Sequence, residues 1–201
     1  IDPGFGLGGF LPVVGDDVLP QPPLQAIAAG SAADVDLIVG SNSEEMNLYY
    51  VPSGVVDVVT VAQARALLAA VHPRPDELLS GADATPGAAL TRVMNDLVFH
   101  GPARRLAEAH AGTGSGRTYA YDFAWRSSAC GGRLGACHGI ELPFVFGTLS
   151  DAIGPEGVLG DGAPQALADR MCASWTGFAH SGDPGWPAYR AAEPGAHRID
   201  L

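Results

Sequence analysis

Residues 35–50 read VDLIVGSNSEEMNLYY, and this stretch decides the fold class. Its first part, Val35–Val39, is a short apolar run rich in β-branched residues that ends at Gly40. Such a run is typical of a strand that is buried on both faces of a parallel sheet. A polar loop with two adjacent carboxylates, Glu44 and Glu45, follows directly. The stretch therefore predicts a buried strand with acidic side chains just beyond its carboxyl end.

A second strand is predicted at Thr118–Trp125, where aromatic residues are frequent. A loop of small residues then leads to His138. Apolar spacing predicts helices around these strands: a brief one near Pro23, then Val61–Val71, Ala88–Ala111 with an interruption at Gly101-Pro102, Ile140–Phe146 and Pro164–Ala179. This order predicts an α/β fold in one unit over 1–201, with the two strands adjacent and parallel. Functional groups are then expected beyond the carboxyl ends of the strands.

The composition limits the classes of partner. The chain of 201 residues carries a formal net charge of −11, and all eleven basic residues are arginine. Such an acidic balance disfavours nucleic acid and anionic membrane surfaces as partners. A run of eighteen apolar residues, which a membrane-spanning helix needs, does not occur in the sequence. We therefore expect no nucleic-acid or membrane partner.

The order of an acid loop and then a histidine loop fits one kind of chemistry. Hydrolysis through a serine needs a hydroxyl, an imidazole that takes its proton, and a carboxylate that fixes the tautomer of the imidazole. In α/β-hydrolases these groups follow one another as serine, acid and histidine, each on a loop after a strand. This sequence has the second and third of them in that order.

Three segments resemble, in order, motifs of the type-B carboxylesterases and cholinesterases. LIVGSNSEEMNLYY at 37–50 resembles their G-x-N-x-x-E segment, and ACHGIELPFVFG at 136–147 resembles H-G-x-E-x-x-F-V-F-G. MCASWTGFAHSGDPG at 171–185, followed by WPAY at 186–189, resembles W-x-x-F-A-x-x-G-x-P…W-P-x-Y. The resemblance covers nearly the whole chain. It implies the C-terminal part of an α/β-hydrolase fold, a mostly parallel sheet flanked by helices, without the N-terminal strands and the nucleophile.

The resemblance implies a role for the first loop. Gly40, Asn42 and Glu45 match the acid motif, which makes Glu45 the triad acid by resemblance. Glu44 is the competing carboxylate, and the spacing from Asn42 favours Glu45. Met46 stands where the family usually has a small residue. The alternative interpretation is a solvated pair of carboxylates in a loop.

The resemblance likewise makes His138 the base, and the alternative is a structural histidine that caps the following helix. We expect a Glu45 carboxylate oxygen within about 2.6–3.2 Å of His138 Nδ1. Glu141 aligns with a family glutamate whose role we interpret as structural. Leu48 and Tyr49 are placed near the wall of the substrate pocket, where they are candidate substrate-binding residues.

The three cysteines leave their state open. Cys130 and Cys137 bracket a short glycine-rich loop, so that they form a candidate disulfide, but the sequence does not decide between a bridge and free thiols. Cys172 is the third. Neither a C-x-x-C pair nor a histidine at zinc spacing accompanies them, so we expect no metal site and no cofactor.

The nucleophile is missing from this sequence. No serine lies in a G-x-S-x-G elbow, and no HGGG-type oxyanion segment occurs. The resemblance implies that both lie upstream, in an N-terminal part of the same enzyme. We expect the chain to be part of a serine carboxylesterase that hydrolyses small neutral esters, and we expect it to be inactive alone. The alternatives are a non-catalytic cholinesterase-like adhesion protein, a truncated inactive gene product, and a binding module whose Glu and His hold a metal.

Overall fold

Three short parallel strands organise the chain. The computed structural model describes residues 12–81, 83–154 and 157–201. Strand β1 (Leu37–Asn42) pairs along its length with β2 (Thr118–Phe123), and β3 (His197–Ile199) pairs with the other edge of β2. The predicted adjacent and parallel pairing of the first two strands is therefore confirmed. Within the described ranges, β1 has a partner strand on one side only.

β1 begins and ends later than the apolar run suggests. Val35, which opens that run, is 61% exposed, and Asp36 forms an ion pair with Arg117 just before the first paired residues. The ladder then continues beyond Gly40 as far as Asn42, which lies opposite Phe123. The acid loop consequently starts from a residue that the sheet holds in place.

The helices lie before, between and after the strands. They are α1 (Pro23–Ala28), α2 (Asn47–Tyr50), α3 (Val55–Val58), α4 (Val61–Ala69), α5 (Pro75–Leu79), α6 (Pro86–Asn95), α7 (Gly101–Ala111), α8 (Leu142–Phe146) and α9 (Gln165–Ser181), with a 3₁₀ turn at Leu149–Asp151. In the described part of the chain, no helix combines the length and the apolar character needed to cross a membrane.

A π-turn, Asp96–His100, joins α6 to α7. The sequence predicts an interruption at Gly101-Pro102, and the π-turn is that interruption. The hydrogen-bond pattern changes there, and the helical run then continues as α7. Pro102 has no N–H to offer the carbonyl four residues earlier. The Gly101 N–H instead reaches Asp96 O, the longer bond of a π-turn. Such turns shift the side chains that follow them around the helix axis.

Two apolar clusters fix the sheet and the helices. The larger one lies under β2 and joins it to α8 and α9, with the Phe144 ring centroid 5.3 Å from that of Phe123 and 5.0 Å from that of Trp125. The smaller one contains Leu68 of α4 and Leu90 of α6, both fully buried. The acid loop after β1 and the histidine loop after β2 are thus anchored by packed elements at their ends.

Candidate active site

Glu45 lies in the turn between β1 and α2, just beyond the carboxyl end of β1. Its side chain is 5% exposed. One carboxylate oxygen, Oε1, accepts the Asn42 backbone N–H at 2.7 Å, and the other, Oε2, lies 2.7 Å from His138 Nδ1. Burial raises the pKa of the Glu45 carboxyl, while the Asn42 N–H and His138 act in the opposite direction. The carboxylate is therefore held in one orientation, with one oxygen on each partner.

His138 lies in the loop between β2 and α8, and its ring meets the expectation for the pair. The distance of 2.7 Å from Nδ1 to Glu45 Oε2 falls within the predicted range, and the His138 backbone N–H also donates to Glu45 O at 3.2 Å. The next residue, Gly139, has φ +74°, which allows the chain to turn sharply after the histidine. A carboxylate at Nδ1 favours the tautomer that carries its proton there, so Nε2 is left as the acceptor.

The rings of Tyr49 and Phe99 flank the His138 imidazole. Their centroids lie 5.8 Å and 5.0 Å from that of His138, while the His138 side chain keeps 44% of its surface exposed. Tyr49 thus lies beside the histidine. Leu48 packs instead against the larger apolar cluster.

Glu44, the competing carboxylate, points to a different partner. Its Oε2 accepts the Ala136 backbone N–H at 2.9 Å and forms an ion pair with Arg126. Met46, where the family usually has a small residue, is 1% exposed, and its N–H donates to Asn95 Oδ1 at 2.7 Å. The turn therefore accommodates the large side chain in the interior, and Glu45 is the residue that contacts the histidine.

Asn42 connects the two loops. Its side-chain Nδ2 donates to Cys137 O at 2.9 Å and to Glu141 Oε2 at 2.5 Å. Its backbone O accepts a hydrogen bond from His100 Nε2 at 2.9 Å. Glu141 therefore accepts a side-chain hydrogen bond from the end of β1 and forms no hydrogen bond with His138.

Two cavities of the described chain lie beside the pair. One of about 720 Å³ lies next to the acid turn and α6, and one of about 450 Å³ lies against β1, β2 and α7. Ser43 and His100 line both, whereas Glu45 and His138 line neither. The His138 side chain therefore lies outside both cavities, with 44% of its surface exposed.

A model of the carboxylesterase family matches residues 3–195. This chain belongs to the carboxylesterase family. It is 28% identical over 187 residues to the para-nitrobenzyl esterase of Bacillus subtilis (strain 168), a match that covers 90% of the chain and 37% of that esterase. It is 27% identical over 203 residues to the phenmedipham hydrolase of Pseudarthrobacter oxydans, which covers 92% of the chain and 39% of the hydrolase.

Solved carboxylesterase structures share the fold of the chain. The carboxylesterase of Geobacillus stearothermophilus superposes with a TM-score of 0.76 at 26% identity, covering 92% of this chain and 40% of that one. A thermophilic para-nitrobenzyl esterase gives 0.74 at 26% identity, covering 90% and 38%. The chain therefore has part of the α/β-hydrolase fold and spans well under half the length of these relatives.

The candidate disulfide between Cys130 and Cys137 is not formed. Cys130, Cys137 and Cys172 are free thiols. The reason lies in the loop geometry: the Cys137 side chain is fully buried among apolar residues, whereas Cys130 is exposed. Burial raises the pKa of the Cys137 thiol to about 12. Among the residues that the structure describes, no group of three or more His, Cys, Asp or Glu side chains is arranged to hold a metal.

Sequence reasoning misses two contributions to this site. The carboxylesterase motif identifies Asn42 by its spacing, yet the bonds of its amide depend on the distant histidine loop. A lone histidine in a helical run gives no signal that His100 reaches the end of β1. The π-turn that places His100 and Phe99 there has only the Gly101-Pro102 pair as its trace in the sequence.

Proposed function

We propose that this chain supplies the acid and the base of a serine carboxylesterase, with Glu45 as the acid and His138 as the base. The observation that carries the proposal is the 2.7 Å contact between Glu45 Oε2 and His138 Nδ1 at the carboxyl ends of two parallel strands. Membership of the carboxylesterase family supports it. The nucleophilic serine and the oxyanion hole belong to an N-terminal part of the same enzyme, because this sequence contains neither motif.

In the proposed reaction, His138 moves the protons. Nε2 takes the proton of the serine hydroxyl as the oxygen attacks the ester carbonyl, and the resulting imidazolium gives that proton to the departing alcohol. Water then attacks the acyl-enzyme, with Nε2 taking its proton and returning it to the serine oxygen. Glu45 holds the ring through Nδ1 and stabilises each imidazolium. Its 5% exposure keeps water from weakening that interaction.

The substrate is proposed to be a small neutral carboxylic ester. Tyr49 and Phe99 flank the imidazole whose Nε2 must reach the leaving alcohol. The apolar faces of these rings suit an uncharged alcohol group. Leu48, next to Tyr49 in α2, packs against the larger apolar cluster. The names of two relatives, a para-nitrobenzyl esterase and a phenmedipham hydrolase, support a small-molecule substrate.

The N-terminal part is proposed to pair with β1. In the described ranges β1 and β3 are the two outer strands of the sheet, and β1 is the longer, with six residues against three. An unpaired edge presents backbone donors and acceptors that another strand can use. The chain covers 37% and 39% of the length of two relatives, and the remaining strands can lie in the part that it does not cover.

A comparison of the chain alone with the chain joined to its upstream part tests this function. Alone, the chain should hydrolyse an activated ester such as p-nitrophenyl acetate no faster than its own Glu45→Ala, His138→Ala double variant. Joined to an upstream part that contains G-x-S-x-G, it should become active, and the double variant should lose that activity. A joined protein that has the serine motif and no esterase activity would contradict the proposal.

A further inference from the structure

We propose that Asn42 is a positioning residue, whose backbone holds the acid and whose side chain holds the histidine loop at a fixed distance from it. The inference rests on the proposed roles of Glu45 and His138 as acid and base. It concerns one residue that bonds to both loops, 95 positions apart in sequence.

The backbone of Asn42 fixes the acid. Asn42 is the last residue of β1 and lies opposite Phe123 in the ladder with β2. Its N–H donates to Glu45 Oε1 at 2.7 Å, so the sheet itself orients the carboxylate. Its carbonyl accepts from His100 Nε2 at 2.9 Å, which ties the end of β1 to the π-turn. Both bonds leave Glu45 Oε2 turned towards His138.

The side chain of Asn42 fixes the histidine loop. The carboxamide has two N–H donors, and Nδ2 donates to Cys137 O at 2.9 Å and Glu141 Oε2 at 2.5 Å. These acceptors stand on either side of His138 in the sequence. Asn42 is 1% exposed, so water does not compete for the two bonds. The histidine segment is therefore clamped before and after the base.

Asn47 offers a matched control in the same pair of loops. Its Nδ2 also crosses from the acid segment to the histidine loop, where it donates to Arg133 O and Leu134 O at 3.1 Å each. These carbonyls precede the base by several residues and do not bracket it. If Asn42 and Asn47 only joined the two loops, replacing either one should have the same effect on His138. If Asn42 positions the base, only its replacement should disturb His138.

The experiment records the ring nitrogens of His138 by NMR in the chain labelled with ¹⁵N-histidine, for wild type, Asn42→Ala and Asn47→Ala. Wild type and Asn47→Ala should show the Nδ1–H tautomer bonded to a carboxylate. Asn42→Ala should lose that signature and populate the Nε2–H tautomer, with backbone amide spectra showing that the fold is kept. In the longer enzyme Asn42→Ala should lower kcat about 100-fold, the cost of a small misplacement, with KM little changed.

A folded Asn42→Ala chain with wild-type His138 signals would overturn the proposal, as would equal shifts in Asn42→Ala and Asn47→Ala. Should Asn42→Ala fail to fold, Glu141→Ala removes one of the two side-chain bonds and Glu141→Gln keeps an acceptor. The alanine variant should then shift the His138 signals part of the way, the glutamine variant should not, and wild-type signals in both would overturn the proposal. A longer enzyme without esterase activity would refute the proposed function, while the His138 spectra would still test the positioning.

Discussion

Replacement of Gly40 by alanine should push β1 away from β2. A Cβ at this position would lie 2.4 Å from Tyr121 O and 2.4 Å from Tyr121 Cδ1, whereas real Cβ atoms essentially never come within 3.0 Å of a neighbour. The ring can rotate, but the carbonyl belongs to the backbone of β2 and moves only with the strand. The glycine of the acid motif is thus required by the close approach of two strands.

The size of the effect follows from two opposing terms. Overpacking of a well-packed site costs about 1–3 kcal/mol, and the loss of backbone freedom in the unfolded chain returns about 0.4–1 kcal/mol when glycine becomes alanine. Gly195→Ala carries only the second term, because a Cβ there meets no atom of the described residues within 4 Å. The entropic gain is common to both variants, so Gly40→Ala should be less stable than Gly195→Ala by about 1–3 kcal/mol.

Equilibrium unfolding in urea, followed by circular dichroism, measures this difference. The unfolding midpoint of Gly40→Ala should fall clearly below that of Gly195→Ala at similar slopes. Equal midpoints would mean that β1 and β2 are not in close contact at Gly40.

Two further predictions concern buried ionisable groups. Burial raises the pKa of Glu45 in the folded state above its usual value of 4.5, so wild type should lose stability relative to the uncharged Glu45→Gln as the pH rises through and beyond 4.5. Urea unfolding midpoints at several pH values measure this difference in stability. A difference that does not change with pH would argue against the burial of Glu45. A thiol reagent should label Cys130 in the native chain and Cys137 only after unfolding, because the first is exposed and the second fully buried; rapid native labelling of Cys137 would contradict its placement.

The strands show how far the sequence predicts the fold. Val35–Val39 and Thr118–Trp125 have the apolar or aromatic density of buried strands, and the pairing of β1 with β2 follows from that pattern. Their ends depend on neighbours that are distant in sequence, such as the ion pair of Asp36 with Arg117. The three residues of β3, His197–Ile199, are too few and too exposed at their start to form a periodic pattern.

The sequence predicts the order of the acid loop and the histidine loop, but it does not predict the residues that hold the two loops in place. An acid after one parallel strand and a histidine after the next must meet at the same edge of the sheet, so the order of the motifs brings the acid loop to His138. The choice of Glu45 over Glu44 comes from the resemblance to the family motif. The clamp by Asn42 and the ring of Phe99 depend on how a loop and a π-turn lie in space, and these have no periodic signature. The thiol state of Cys137 likewise follows from packing rather than spacing.

The turnover of His138→Ala in the longer enzyme tests whether His138, oriented by Glu45, is the base of a serine esterase. Steady-state hydrolysis of p-nitrophenyl acetate gives kcat and KM for this variant and wild type. We predict that kcat falls by about three orders of magnitude or more, since loss of a triad member removes most of the chemical advantage. KM should change little, because the imidazole acts in the transition state more than in binding. A His138→Ala enzyme with near-normal kcat would mean that His138 is not the base.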